Sequence, residues 1–129
     1  MATFALLVAV VFLVALNAFF VAAEFALVSV RDTRIQHLIE NRRIGARTVQ
    51  KLHSRLDEVL NAVQFGITLA SLGLGWIGEP AIAHVIEPAL HGVPYASLYA
   101  HAIALVIAFT LITYMHVILG EVVPKSLAL

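Results

Sequence analysis

Two carboxylates stand where a lipid environment would make them expensive. Glu24 follows a stretch from Met1 to Ala23 with no charged side chain, and the apolar run then resumes through Val30. Glu121 closes a second long apolar run, in Gly120-Glu121-Val122-Val123-Pro124-Lys125. An ionisable side chain inside a membrane span costs about 2.5–3.5 kcal/mol on insertion scales, so each one asks for a partner or a function. Pro124 has no N–H, which leaves the carbonyl of Gly120, four residues earlier, without its helical donor beside the Glu121 carboxylate. In hydrocarbon such a carbonyl must be satisfied by protein, water or an ion. A carboxylate next to a bare carbonyl is a pair of hard oxygen ligands of the kind Mg²⁺ or Ca²⁺ takes. The same residues also describe a Pro-terminated helix with an interfacial Glu. Glu24 lies about 9 Å inward from the end of its run at 1.5 Å per residue, as a ligand or as a structural bond to a neighbouring helix.

Other oxygens recur at helical spacing. Asn61, Gln64, Thr68 and Ser71, continued by Gly75, follow three- and four-residue steps and share one helix face. That face can complete a cation site opposite Glu121, with the amide of Asn17 turned the same way. The alternative is interhelical packing, for which Ser71 and Gly75 form a small-xxx-small pair. The six histidines make no metal motif: His116 and Glu121 are five apart, outside any His-Glu-x-x-His pattern, and His84, His91 and His101 gather near one loop. With no cysteine, no Ser/His/Asp pairing and no phosphate loop, the residues give no reason to expect an enzyme.

These groups must be positioned by membrane helices. The 129 residues are 61% hydrophobic and 12% charged, against about 45–50% and 25% in soluble domains, which excludes a water-soluble globule. Eight basic residues balance eight acidic ones, so no field directs the chain to nucleic acid. Spans are expected over about 3–30, 59–78 and 97–120, giving an all-α protein of three transmembrane helices. A cleavable signal peptide is the competing reading for the first, but it would need a basic n-region and a shorter core. Glu79-Pro80 should end the second span, and Pro80, Pro88 and Pro94 predict a loop with short helical pieces up to Tyr95. Residues 31–58 hold seven of the eight basic residues, with apolar positions at three- and four-residue steps. They read as a basic amphipathic helical hairpin on the membrane surface, split at Gly45. Because Lys and Arg in short loops stay cytoplasmic, the expected topology is N-out and C-in, in an inner or plasma membrane.

Three phrases together resemble a known family: Leu16-Asn-Ala-Phe-Phe-Val-Ala-Ala-Glu-Phe-Ala-Leu27, Gln64-Phe-Gly-Ile-Thr-Leu-Ala-Ser-Leu-Gly-Leu-Gly75 and Leu119-Gly-Glu-Val-Val-Pro-Lys-Ser126. They are similar to the transmembrane domain of the CNNM/CorC family, the hemolysin-like or magnesium/cobalt efflux proteins, over essentially the whole chain. The resemblance implies a homodimeric membrane domain that binds Mg²⁺ among three helices and exports it, coupled to Na⁺. In longer members cytoplasmic CBS domains and a small carboxy-terminal domain follow; neither lies within this chain. By the same resemblance Glu121 matches the acidic ligand of the third span. Thr68 and Ser71 stand where other members carry Asn after the glycine matching Gly66, and Val21 stands where a serine is common. Glu24 matches the bacterial form of the first phrase. Glu121, Ser71, Thr68, Gly120, Gly66, Asn17 and Glu24 are therefore the candidate metal residues. A non-transporting scaffold or accessory subunit of a larger membrane complex remains the alternative function.

Overall fold

The computed structural model describes residues 2–90 and 96–129, and His91, Pro94 and Tyr95 of the expected loop lie outside them. Helix α1 runs over Ala2–Ser29, and two short helices follow, α2 at Asp32–Glu40 and α3 at Ala46–His53. Helix α4 takes Leu56–Leu90 and α5 takes Ala96–Met115. A π-helical segment, His116–Val122, then leads without a break into α6 at Val123–Ala128. Three of these helical stretches are long and apolar enough to cross a membrane: Thr3–Ser29, Leu56–Ala89 and His101–Ala128. The chain is an all-α, multi-pass membrane protein. Phe4, Phe12, Phe65, Leu72, Trp76 and Val106 project from the bundle, each more than half exposed. Side chains of that kind in that number suit lipid and would be untenable in water.

The antiparallel register of α1 on α4 is set where large residues meet glycines. The Phe20 ring lies so close to Gly66 that an added Cβ would stand 2.7 Å from it, and Leu13 covers Gly73 with 3.4 Å to the same notional atom. Both the knobs and the glycines are spaced by two helical turns, so the two contacts repeat along one seam. Toward the far end, Val10, Val14, Leu74, Ala81 and Ile112 form the core of all three long helices. Beyond them Ala83, Ala104 and Ala108, each at most 2% exposed, let α4 and α5 approach closely.

The second span is longer than its residues suggest. Pro80 does not end it, and α4 continues helically through both Pro80 and Pro88. The expected loop from Glu79 is corrected to helix as far as Leu90. A proline inside a helix removes one backbone bond and crowds the carbonyl four residues back, at about 3 kcal/mol. Here the tight contact of Ala81 and Ala83 with α1 and α5 holds the segment straight enough to continue, and neighbouring helices commonly rescue prolines in membrane spans. At the other end the basic hairpin forms as expected. Gly45 separates α2 from α3 with a φ of +85°, a left-handed conformation that glycine adopts without steric cost. The two arms are joined by His53 Nδ1 and Asp32 Oδ1 at 2.9 Å, and Ile35 and Ala46 are buried beneath them.

Candidate functional site

At the hairpin end of the bundle the three long helices part around a cavity of about 450 Å³. Its wall includes Glu24 from α1, Gln64 and Thr68 from α4, and Glu121 from the π segment, with Lys125 of α6 at the side. Val21, Phe25 and Ile67 complete it with apolar surface. Glu24 and Glu121, nearly a hundred residues apart in the chain, thus face one space. Both are half-buried. The Thr68 hydroxyl donates to the Gln64 carbonyl one turn earlier at 2.9 Å, so its oxygen lone pairs remain directed elsewhere. The Lys125 ammonium rests 4.5 Å from the centroid of the Phe25 ring, a distance at which the ring face attracts a cation.

Behind the cavity lies a buried polar network. Asn17 is 0% exposed, and its Nδ2 donates to the carbonyl of Gly120 at 3.1 Å. The carbonyl expected to be bare is therefore bonded, because α1 brings an amide to it across the bundle. The orphan is instead Asn17 Oδ1, which is buried without a hydrogen-bond partner. Leaving such an acceptor unpaired costs about 1–3 kcal/mol, which marks the position as one where a proton donor or a cation would be accommodated. Ser71 Oγ lies 3.3 Å from His116 Nε2, and the same nitrogen lies 3.7 Å from Glu121 Oε1. Gly120 admits this arrangement, since a Cβ there would stand 3.0 Å from His116 Cδ2 and 3.1 Å from Asn17 Nδ2.

The π segment explains why spacing concealed His116. In an α-helix residues five apart point about 140° away from one another. A π turn closes its bonds over five residues, and here Val123 N–H reaches the Ile118 carbonyl. His116 and Glu121 consequently stack on one side. Gly120 and Pro124 favour the wider turn, one by weak helix propensity and the other by its missing donor.

The candidate residues thus divide into groups. Glu24, Thr68 and Glu121 line the cavity, Asn17 and Gly120 bond behind it, and Ser71 joins through His116. Gly66 is not part of the wall and instead packs on Phe20. Gln64, Lys125 and His116 join the constellation without having been singled out as ligands. Gln64 was legible as a member of the polar row on α4, and Lys125 as the cation next to Glu121. Elsewhere His101 Nδ1 meets Glu87 Oε2 at 3.8 Å, tying α5 to α4 at the opposite end. Among the described residues no three His, Cys, Asp or Glu side chains gather as a metal-binding group, and the oxygen donors lining the cavity are two carboxylates and the neutral side chains of Gln64 and Thr68.

Three helices long and apolar enough to cross a membrane, with an open acidic cavity between them at the hairpin end, define a multi-pass membrane protein with a polar site on its bundle. Residues 8–129 match the model of the cyclin M (CNNM) transmembrane N-terminal domain, and the chain belongs to that family. It is 41% identical over 125 residues to the UPF0053 protein YugS of Bacillus subtilis, covering 95% of this chain and 29% of YugS. It is 44% identical to YhdT of the same organism, over 91% of this chain and 25% of that protein. With Rv1841c of Mycobacterium tuberculosis it shares 42% identity, over 91% of this chain and 33% of that protein. The chain accordingly spans between a quarter and a third of the length of these relatives.

Proposed function

We propose that this domain binds Mg²⁺ in the cavity between Glu24 and Glu121 and carries it across the membrane, as part of a homodimer. The observation that supports this reading most is the pairing of two carboxylates with the Gln64 and Thr68 oxygens around one space inside the spans. The unpartnered Oδ1 of Asn17 behind it adds to that support. Oxygen-only donors suit a hard cation such as Mg²⁺ better than a soft one. Volume leaves room for an ion that keeps its water. Six waters at about 30 Å³ each would fill less than half of the cavity's roughly 450 Å³, and Mg²⁺ gives up its hydration shell reluctantly.

In this mechanism Glu121 and Glu24 supply the charge that draws the cation out of bulk water. Gln64 and Thr68 replace some of its hydration oxygens. The Lys125 ammonium, held on Phe25 at the side of the cavity, competes with the arriving ion and must swing aside as it enters. Release requires the donors to separate, and the π segment is suited to this. Conversion of its wide turn to an α turn would rotate Glu121 away from His116 and from the cavity. The positive-inside rule puts the seven basic residues, and with them the hairpin end where the cavity lies, on the cytoplasmic side. Export, Na⁺ as the coupling ion and an inner or plasma membrane location complete the reading as what the family resemblance implies. In members of the family that carry CBS domains, these would regulate the cycle from the cytoplasmic side. A scaffold role would make no use of carboxylates facing a shared cavity within the spans.

Thermal unfolding of the purified protein in rising MgCl₂ tests the site. Wild type should gain stability and Glu121→Gln should lose most of the gain; an equal gain in both would remove Glu121 from the site. Ion flux in reconstituted vesicles, with and without an imposed Na⁺ gradient, tests transport and coupling separately.

A further inference from the structure

A second concavity, of about 520 Å³, lies on the outside of the bundle where α1, α3 and α4 converge. Its floor is apolar, made of Phe20 from α1, Leu52 from α3, and Val59 and Val63 from α4. Its rim carries two cations, Lys51 and Arg55, beside one carboxylate, Glu58, so the rim is net positive by one charge. The two levels are separated along the membrane normal. Phe20 sits against Gly66, which is about 15 Å along α4 from Leu56 at 1.5 Å per residue, whereas Lys51 and Arg55 lie before α4 begins. Apolar surface at hydrocarbon depth and cations at headgroup depth match the two parts of one phospholipid.

We propose that this groove is a binding site for an anionic phospholipid, with the phosphate on Lys51 and Arg55 and an acyl chain along Phe20, Leu52 and Val59. Charge complementarity selects the occupant. A zwitterionic lipid offers the same chain but brings its own cation to the rim. Glu58 meets Arg55 Nε at only 3.5 Å, with both side chains more than 60% exposed, so the guanidinium keeps donors free for a phosphate. Two other concavities on the basic hairpin differ from it. The one around Arg34 and Arg43 has Leu38 as its only apolar side chain, and the one around Arg42, Arg43 and Arg47, about 260 Å³, has only Ile39 and Ala46 as apolar wall and none from the long helices. The groove also shares its wall with the acidic cavity: Phe20 and Val63 face the lipid side, and their chain neighbours Val21 and Gln64 face the cation side. A seated lipid therefore braces the α1–α4 seam from outside.

Native mass spectrometry of the full-length protein, extracted in mild detergent and supplied with phosphatidylglycerol or phosphatidylcholine, tests this site. Phosphatidylglycerol should be retained preferentially. The double variant Lys51→Gln/Arg55→Gln should weaken its binding about thirtyfold, roughly fivefold per cation. The equally charge-reduced control Arg42→Gln/Arg43→Gln should bind as wild type. Ala62→Trp, which fills the groove from an exposed position and leaves the charges intact, should also release the lipid. Equal loss in both charge variants, equal retention of the two lipids, or undiminished binding by Ala62→Trp would each overturn the proposal.

Discussion

The two halves of the bundle are held together by opposite means. Away from the basic hairpin, contact is close and almost wholly apolar: Leu74, Ala81, Ala83, Ala104 and Ala108 are each at most 2% exposed. Toward the hairpin the helices part around an acidic cavity, a buried amide carries an unpaired oxygen, and the backbone widens into a π turn. Between lipid-solvated helices the hydrophobic effect contributes little, so association depends on close packing and on polar bonds. The apolar half uses the first; the hairpin half keeps close packing where Phe20 meets Gly66 and adds the second through Asn17 and Gly120. Close packing has one good arrangement, whereas a polar network around a cavity can exchange partners. The difference places rigidity at one end and the capacity for movement at the other.

Substitutions that interchange the two modes should separate stability from cation response. The largest effect is expected from Ala108→Phe, which forces a ring into the α4–α5 contact formed with Ala83 and Ala104. Overpacking a filled contact costs about 3 kcal/mol at the upper end of its usual range. The variant should show a markedly lower midpoint of thermal unfolding, with or without Mg²⁺. Gly120→Ala comes next. Its new methyl would meet His116 and Asn17 at 3.0–3.1 Å and strain the side-chain bond from α1 to the π segment, at about 1–2 kcal/mol. Unlike the first, it should also diminish the Mg²⁺-dependent rise in midpoint. The smallest effect on the fold is expected from Lys125→Met, which leaves packing on Phe25 in place and removes the tethered ammonium. Mg²⁺ affinity by calorimetry should then increase about fivefold, the value of roughly 1 kcal/mol of repulsion in a water-filled site. An unchanged affinity would mean that Lys125 does not compete with the ion.

Much of the fold could be read from the chain. Three long uncharged runs imply three crossings, and the crowd of arginines between the first two implies a surface hairpin, with Gly45 as its break. Asn17, Gly120, Thr68, Ser71 and both glutamates were also recognisable, because polar groups in apolar runs stand out against their surroundings. Two features were hidden. Pro80 was read as a terminator, since the local penalty is visible in sequence and the compensating contacts of Ala81 and Ala83 with other helices are not. His116 was set aside because, five residues from Glu121, it fits no His-Glu-x-x-His pattern; only the π turn brings the two together.

What the residues determined by themselves follows from solvent preference. Hydropathy over some twenty positions, charge between them and the lack of thiols suffice to define an all-helical membrane domain with acidic groups out of place. What only the tertiary structure decided follows from contacts between residues remote in the chain. The bond from Asn17 to the Gly120 carbonyl crosses from α1 to the π segment, and the wall shared by Glu24 and Glu121 joins the first helix to the last. Helix periodicity is a local rule and holds only while the backbone keeps its usual turn. Once a proline and a glycine loosen that turn and a distant amide takes up the carbonyl, the facing of the following residues is set by the packed bundle.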